Sequence, residues 1–290
     1  MGAGGVTGGV LVSMYNGEAP RIGLLDPERL DMRRIELPGH LPARGVTGLA
    51  AEGDRVYAVL YDLLDEAGLP THSSALVVLD RADLRMLCQS RIELGRDVHS
   101  IAVLDGTVYA VSTGTDEVLA LHMRGDRVER EEVFWRPDDS LDRCDHHHLN
   151  SIAVMNGELI VSGFGRKAEV ERWSSARDGF VRNISRGRSL VRGIYQPHSV
   201  RPFADGVGFC ESPLRAARLP AGRSCEQLPG YSRGMCQTGS TLLVGASRAR
   251  GDGAGRSNVV RLDAASLRIE AGIEVGEGSA EIYDLLPWAA

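Results

Sequence analysis

Short apolar or alternating runs recur along this chain, separated by turns that carry Gly, Asp or Asn. One stretch shows the unit in full. His99-Ser100-Ile101-Ala102-Val103-Leu104 leads to the turn Asp105-Gly106 and the run Val108-Tyr109-Ala110-Val111. A turn at Gly114-Thr115-Asp116, the run Val118-Leu119-Ala120-Leu121 and the run Glu132-Val133-Phe134-Trp135 complete it. Period-two runs of this length between turn residues predict four consecutive antiparallel strands. The pattern returns in Thr47-Gly48-Leu49-Ala50, Val56-Tyr57-Ala58-Val59 and Ala75-Leu76-Val77-Val78-Leu79. It returns again in Ser151 to Val154 with Leu159-Ile160-Val161, and in Arg233-Gly234-Met235, Leu242-Leu243-Val244-Gly245 and Val259-Val260-Arg261-Leu262.

The leading phrase itself repeats: His99-Ser100-Ile101-Ala102-Val103, Asn150-Ser151-Ile152-Ala153-Val154, then His198-Ser199-Val200, with lead residues 51 and 48 positions apart. A four-stranded unit recurring at about 40 to 50 residues is the blade of a β-propeller. Glu281-Ile282-Tyr283-Asp284-Leu285-Leu286 reads as a first strand with nothing after it. The N-terminal side opens instead on a second strand, Gly9-Val10-Leu11-Val12-Ser13, followed by Ile22-Gly23-Leu24-Leu25 and Arg34-Ile35-Glu36-Leu37. Pairing the two ends makes one more blade and leaves few open edges. The expectation is an all-β, six-bladed β-propeller in a single domain over 1–290. Its blades are 44–94, 95–145, 146–193, 194–229, 230–276, and 277–290 with 8–40.

Composition narrows the class. With 290 residues, 43% hydrophobic and 35 glycines, the chain reads as turn-rich and globular, not disordered. No apolar run reaches the length of a membrane span. No basic-then-apolar leader opens the chain, Val6 breaks a myristoylation motif after Met1-Gly2, and Gly2-Ala3-Gly4-Gly5 follows no strand as a dinucleotide loop would. A net charge of −6 argues against nucleic acid; Arg182, Arg186, Arg188 and Arg192 read as a solvated outer strand, and the single lysine, Lys167, as coding bias. Five cysteines without a Cys-x-x-Cys pair, and no export signal, fit a reducing cytoplasm. Cys88, Cys225 and Cys236 read as buried structural thiols, and the sequon Asn183-Ile184-Ser185 as silent.

In a propeller the starts of first strands and the ends of second strands surround one mouth of the central channel. The starts here are Thr47, His99, Asn150 (with His148 just before), His198, Arg233 and Glu281; the ends contribute Tyr15, Tyr61, Phe164, Arg166, Glu211 and Arg248. Such a gathering is the default binding-site hypothesis. His99, His148, His198 and Glu281 form a set suited to a divalent transition metal, Zn, Fe, Mn or Ni, and the imidazoles argue against calcium. Arg233 and Arg248 could clamp a carboxylate or phosphate, Glu211 is a spare acid or base, and Asn150 adds a polar contact. Arg166, Tyr61, Phe164 and Tyr15 are candidate substrate contacts. Against this, a histidine at a strand start can simply hydrogen-bond a neighbouring blade, with Ser100, Ser151 and Ser199. His146 and His147 read as exposed loop, His40, His72 and His122 as surface, and Trp135 and Trp173 as packing or rim.

Several phrases resemble those of a bacterial family of conserved proteins of unknown function with propeller repeats. Asp142-Arg143-Cys144-Asp145-His146-His147-His148-Leu149-Asn150-Ser151-Ile152-Ala153 is similar to its "DRCHLNGLA", and Gln196-Pro197-His198-Ser199-Val200-Arg201 to its "PHSPRW". Pro229-Gly230-Tyr231-Ser232-Arg233-Gly234-Met235 with Leu243-Val244-Gly245-Ala246-Ser247-Arg248 resembles "GFTRGLAF…FVGLSRPR". The chain departs by inserting Asp145 to His147 and by carrying Pro202-Phe203 where the family has tryptophan. The resemblance implies a fold and a site face, without a reaction. A more distant likeness is to the gluconolactonase and strictosidine-synthase group of six-bladed propellers, whose lactonases bind calcium through Glu, Asn and Asp. Only Glu281 and Asn150 match those parts, so that activity is not carried over.

Three functions stay open. One is a metal-assisted hydrolase, lyase or isomerase acting on a small polar or anionic metabolite of a biosynthetic pathway, without a nucleotide cofactor. The second is a metal-free enzyme using histidine and arginine. The third is a non-catalytic scaffold. Neither nucleic acid nor membrane is an expected partner, and the oligomeric state is not legible in the sequence.

Overall fold

A computed structural model describes residues 8–16, 22–140, 143–169, 172–248, 256–275 and 280–289. The readings made on Met1 to Val6 lie outside these. Tight turns close each apolar run back on its predecessor, so every pairing is antiparallel. The strands are β1 (Gly9–Tyr15), β2 (Ile22–Asp26), β3 (Asp31–Ile35), β4 (Ala43–Glu52), β5 (Arg55–Leu63), β6 (Ser74–Asp80) and β7 (Met86–Ile92). They continue with β8 (Val98–Leu104), β9 (Thr107–Ser112), β10 (Glu117–Arg124), β11 (Arg127–Trp135), β12 (Leu149–Met155), β13 (Glu158–Gly163), β14 (Gly179–Asn183) and β15 (Arg188–Ile194). The rest are β16 (Pro197–Phe203), β17 (Gly206–Glu211), β18 (Ala216–Arg218), β19 (Ser224–Cys225), β20 (Tyr231–Thr238), β21 (Thr241–Ser247), β22 (Asn258–Asp263), β23 (Ile269–Glu274) and β24 (Glu281–Trp288). Among the described residues the only helices are short 3-10 turns, and none is long and apolar enough to cross a membrane.

Strands β8–β11, β12–β15, β16–β19 and β20–β23 form four separate four-stranded sheets. The remaining strands make one eight-stranded sheet, in which β24 pairs with β1 along its length and β1 is laddered to β4 at the pair Tyr15 and Gly45. The architecture is all-β and propeller-like. The first strands of successive groups touch in sequence: β4 with β8, β8 with β12, β12 with β16, β16 with β20, β20 with β24, and β24 with β4.

Burial falls from inner to outer strands. β1 is buried along its whole length, whereas β3, β11, β15 and β23 are mostly exposed or half-buried. The apolar face of each sheet packs on the next: Ile101, Leu119 and Leu121 meet Val59, Leu76 and Val78. Each such fully buried side chain contributes about 1.5–3 kcal/mol. Arg186, Arg188 and Arg192 are exposed on the turn and outer strand of their sheet, as read from the sequence, while Arg182 is half-buried over Trp135. Cys210, Cys225 and Cys236 are buried free thiols, whereas Cys88 is half-buried. Asn183 is fully buried and donates to Glu158 Oε2 at 2.6 Å.

The repeated phrase has a structural meaning: it marks a β-bulge in each first strand. Between bridged pairs, the extra residues are Thr47 and Gly48 in β4, His99 in β8, Asn150 in β12, Ser199 and Val200 in β16, Arg233 and Gly234 in β20, and Tyr283 in β24. A bulge releases a residue from the ladder and re-aims its side chain. It also leaves N–H groups for side chains to satisfy. Ser100 Oγ accepts from Ile152 N–H at 3.2 Å, Ser151 Oγ from Val200 N–H at 2.9 Å, and Ser199 Oγ from Gly234 N–H at 2.7 Å. The recurring serines therefore tie four successive sheets, those of β8, β12, β16 and β20, to one another.

Candidate functional site

This register corrects two expected equivalences. His198 is bridged to Cys210 ahead of its bulge, so it does not share the register of His99, and it is fully buried. Glu281 lies two residues before the bulge of β24, and Tyr283 takes the released position. The conformity of the phrases concealed a one-residue slip in β16, because the bulge there displaces Ser199 and Val200 instead of the histidine.

The released side chains and the ends of the second strands close a circuit of rings. Centroid distances run Tyr15–Tyr61 5.1 Å, Tyr61–His99 5.5 Å, His99–His148 5.7 Å, His148–Phe164 4.4 Å and Phe164–His198 5.0 Å. His198 Nε2 meets an Arg233 Nη at 2.7 Å, the Arg233 guanidinium lies 4.0 Å over the Tyr283 ring, and Tyr283 returns to Tyr15 at 5.7 Å. His99, Asn150, Ser199, Arg233 and Tyr283 line a cavity of ≈ 10 Å³ together with the Arg201–Asp284 ion pair. That is room for about one water.

Hydrogen bonds fix the role of His198. Arginine only donates, so Nε2 accepts from Arg233 and Nδ1 carries the proton. Nδ1–H then faces Ser212 Oγ at 2.7 Å and Gln196 O at 3.0 Å, and Ser212 Oγ in turn donates to Ser232 O. Burial, reinforced by the Arg233 charge, holds the His198 pKa well below the usual imidazole range. His198 is a neutral ring that positions Arg233, and its one lone pair is already spent.

His148 is oriented differently. Its Nδ1 lies 2.9 Å from Asp145 Oδ2, which also meets Lys167 Nζ at 3.2 Å. Burial works to raise the Asp145 pKa, but His148 and Lys167 outweigh it and leave a carboxylate. A carboxylate accepts the Nδ1 proton, so Nε2 is the basic nitrogen. Asn150 Nδ2 donates toward His99 Nδ1 at 3.4 Å. Burial pushes the Tyr15 hydroxyl up to about 12, and the Tyr61 hydroxyl also upward; Tyr61 donates to Asp97 Oδ1 at 3.0 Å. Both phenols are therefore proton donors at neutral pH.

Other expected residues are placed elsewhere or are committed. Glu211 is buried, with Oε2 on Arg218 Nε at 2.6 Å and Oε1 accepting from Tyr195 N–H at 2.9 Å, so both of its carboxylate oxygens are engaged. Arg166 is exposed, Arg248 follows β21 and is half-buried, and Glu281 is bridged to Tyr15 at the start of β24. His147 is not exposed loop: it is buried, with Nδ1 at 2.7 Å from Asp116 and Nε2 at 3.1 Å from Asp139, and His146 is half-buried. His72 is exposed, as expected, while His40 and His122 are half-buried. Trp173 stacks beside His148 at 6.1 Å with its own surface partly open.

Lys167, read from the sequence as composition, is instead a buried amine, 6% exposed. Asp145, Lys167, Tyr283 and the ordering by Ser212 were missed. A lone lysine among arginines and an aspartate three residues before His148 were the available signals; Tyr283 had none, because only the bulge selects it.

The four expected metal ligands do not fit as a set. Using His198 Nε2 would require breaking its bond to Arg233, and among the described residues no group of three or more His, Cys, Asp and Glu side chains is placed to hold a metal ion.

No curated protein matches the sequence. Among solved structures, a chain of a nidogen/laminin complex aligns with a TM-score of 0.67 at 15% identity, covering 97% of this chain and 98% of that one. A periplasmic gluconolactonase of Pseudomonas aeruginosa aligns with a TM-score of 0.58 at 14% identity, covering 97% and 99%. At these identities the likeness carries the propeller-like fold and no activity. A family model matches residues 67–278, most of the chain, and through it this protein belongs to the family described as Domain of unknown function (DUF4915).

Proposed function

We propose that this chain is a six-bladed propeller enzyme whose channel mouth performs acid–base chemistry on a small polar or anionic metabolite, as a hydrolase, lyase or isomerase. The cyclic contacts of the six first strands and the pairing of β24 with β1 support the ring. The observation that carries the chemistry is the Ser212–His198–Arg233 chain. It fixes a buried cation beside the cavity that His99 and Asn150 also line. A fixed guanidinium in a water-poor site stabilises negative charge as it develops on a substrate. His148, oriented by Asp145, acts as general base through Nε2, and His99 is the partner acid. Tyr61, Tyr15, Phe164 and Trp173 form the walls. The single-water cavity suits hydrolysis, and the free thiols of Cys88, Cys210, Cys225 and Cys236 suit a reducing cytoplasm.

The test is a screen of sugar lactones and small carboxylate or phosphate esters, chosen because a structural neighbour is a gluconolactonase, with and without chelator. The expected result is turnover that survives chelation. It falls at least about 100-fold in His148→Gln, the scale of a general base. Equal turnover in the variant overturns the assignment. The metal-assisted reading is the alternative, favoured by the facing rings of His99 and His148. It is adopted instead if the protein carries near-stoichiometric Zn, Fe, Mn or Ni that His99→Ala removes.

A further inference from the structure

We infer that a second site, for a small oxyanion of the phosphate or sulfate class, lies between the β5–β6 connection and the β7–β8 connection. Its lining shares no residue with the cavity at the channel mouth. A cleft of ≈ 170 Å³ opens there, lined by Thr71, Ser73, Ser74, Arg91, Glu93 and Arg96. Its volume holds several waters, hence a tetrahedral anion.

The two guanidiniums are the reason for the assignment. Among the described residues neither Arg91 nor Arg96 has a side-chain hydrogen bond, ion pair or ring contact. Other arginines of the same sheet are engaged: Arg44 with Asp62, Arg55 with Asp126, and Arg81 on Gly53 O. The chain has 39 acidic against 33 basic residues, so partners are plentiful. Two unpaired cations lining one cleft repel each other, and a shared anion relieves that repulsion while matching the guanidinium fork.

The remaining polar groups are mostly donors. Among the described residues the Ser73 hydroxyl has no partner, and Ser74 Oγ, fully buried, accepts from Val98 N–H at 3.4 Å and keeps its own proton to donate. Thr71 Oγ1 is spent on Leu63 O. Glu93 is the one carboxylate in the lining and is exposed; it competes with an anion for the arginines. A donor-rich, cationic cleft with little apolar wall selects a charged oxyanion over a neutral ligand. Arg96 precedes Asp97, whose carboxylate holds the hydroxyl of Tyr61 and the ring of His72. An anion bound here therefore borders the wall of the channel mouth.

The experiment is calorimetric titration of the full chain with inorganic phosphate and with pyrophosphate, at low and at moderate salt. The expected result is saturable one-site binding in the millimolar range or tighter, weakening as salt rises. It weakens by about tenfold or more in Arg91→Gln and in Arg96→Gln, and is lost in the double variant. Glu93→Gln tightens it. Both arginines are exposed, so the variants keep the wild-type melting temperature, and Arg124→Gln at the last residue of β10 leaves binding unchanged. Absence of saturable binding up to about 20 mM of either anion, or equal affinity in the double variant, overturns the inference.

Discussion

Replacing Asp284 by alanine removes a buried charge that ties several strands together. Asp284 on β24 binds the Arg201 guanidinium from β16 and accepts N–H bonds from Leu49 at 3.1 Å and Leu285 at 2.9 Å. Arg201 also donates to Met235 O at 3.1 Å and Val200 O at 3.1 Å. One pair thus joins β4, β16, β20 and β24, and both side chains are largely buried. Removing one partner of a buried pair strands the other charge and costs about 3–5 kcal/mol. The three bonds Arg201 keeps to the carbonyls of Met235, Val200 and Leu285 reduce this, and the stranded Leu49 N–H adds about 1–3 kcal/mol. We expect a net loss of about 4 kcal/mol. With an unfolding entropy of about 2.1 cal/mol/K per residue over this length, that is a melting shift of about 6–7 °C. The partner variant Arg201→Met costs less. Burial already raises the Asp284 carboxyl against the pull of Arg201, so once the guanidinium is gone the acid takes up a proton. Arginine has no such escape when Asp284 is removed. Replacing both, as Arg201→Met with Asp284→Leu, recovers more than half of the loss. Urea unfolding and calorimetry on the four proteins measure the set. A loss below about 1 kcal/mol in Asp284→Ala, or a double variant no better than that single one, refutes the reasoning.

Three further outcomes follow from the same geometry. Burial opposes protonation of His147, but Asp116 and Asp139 outweigh it and raise its pKa. Its stabilisation is therefore complete below the unfolded imidazole pKa and is lost as pH rises through the raised folded value. Unfolding followed by pH in wild type and His147→Gln should show this slope only in wild type. Ser151→Ala strands the Val200 N–H between two sheets and should cost about 1–3 kcal/mol by urea unfolding. In Gly245→Ala the new methyl would stand 2.1 Å from Arg233 O and 2.6 Å from the Ile282 side chain, so we expect a loss of about 1–3 kcal/mol with repositioning of Arg233, read by unfolding and by turnover.

The chain's periodicity determined the all-β class, the four-stranded unit and the pairing of the terminal strands, because period-two burial and turn chemistry are local properties that the residues carry themselves. The aromatic and imidazole members Tyr15, Tyr61, His99, His148, Phe164 and His198 were also legible, since each sits at a strand end that any blade directs to one face. Their roles were not. Whether His198 is a ligand or a support depends on Arg233, 35 residues away in sequence, filling its second nitrogen. Whether Glu211 is free depends on Arg218 and the Tyr195 amide closing over it. The selection of Tyr283 over Glu281 depends on where a single bulge falls between β24 and β1. Protonation, pairing and register are decided by neighbours that only the packed sheets bring together, and no local pattern encodes them.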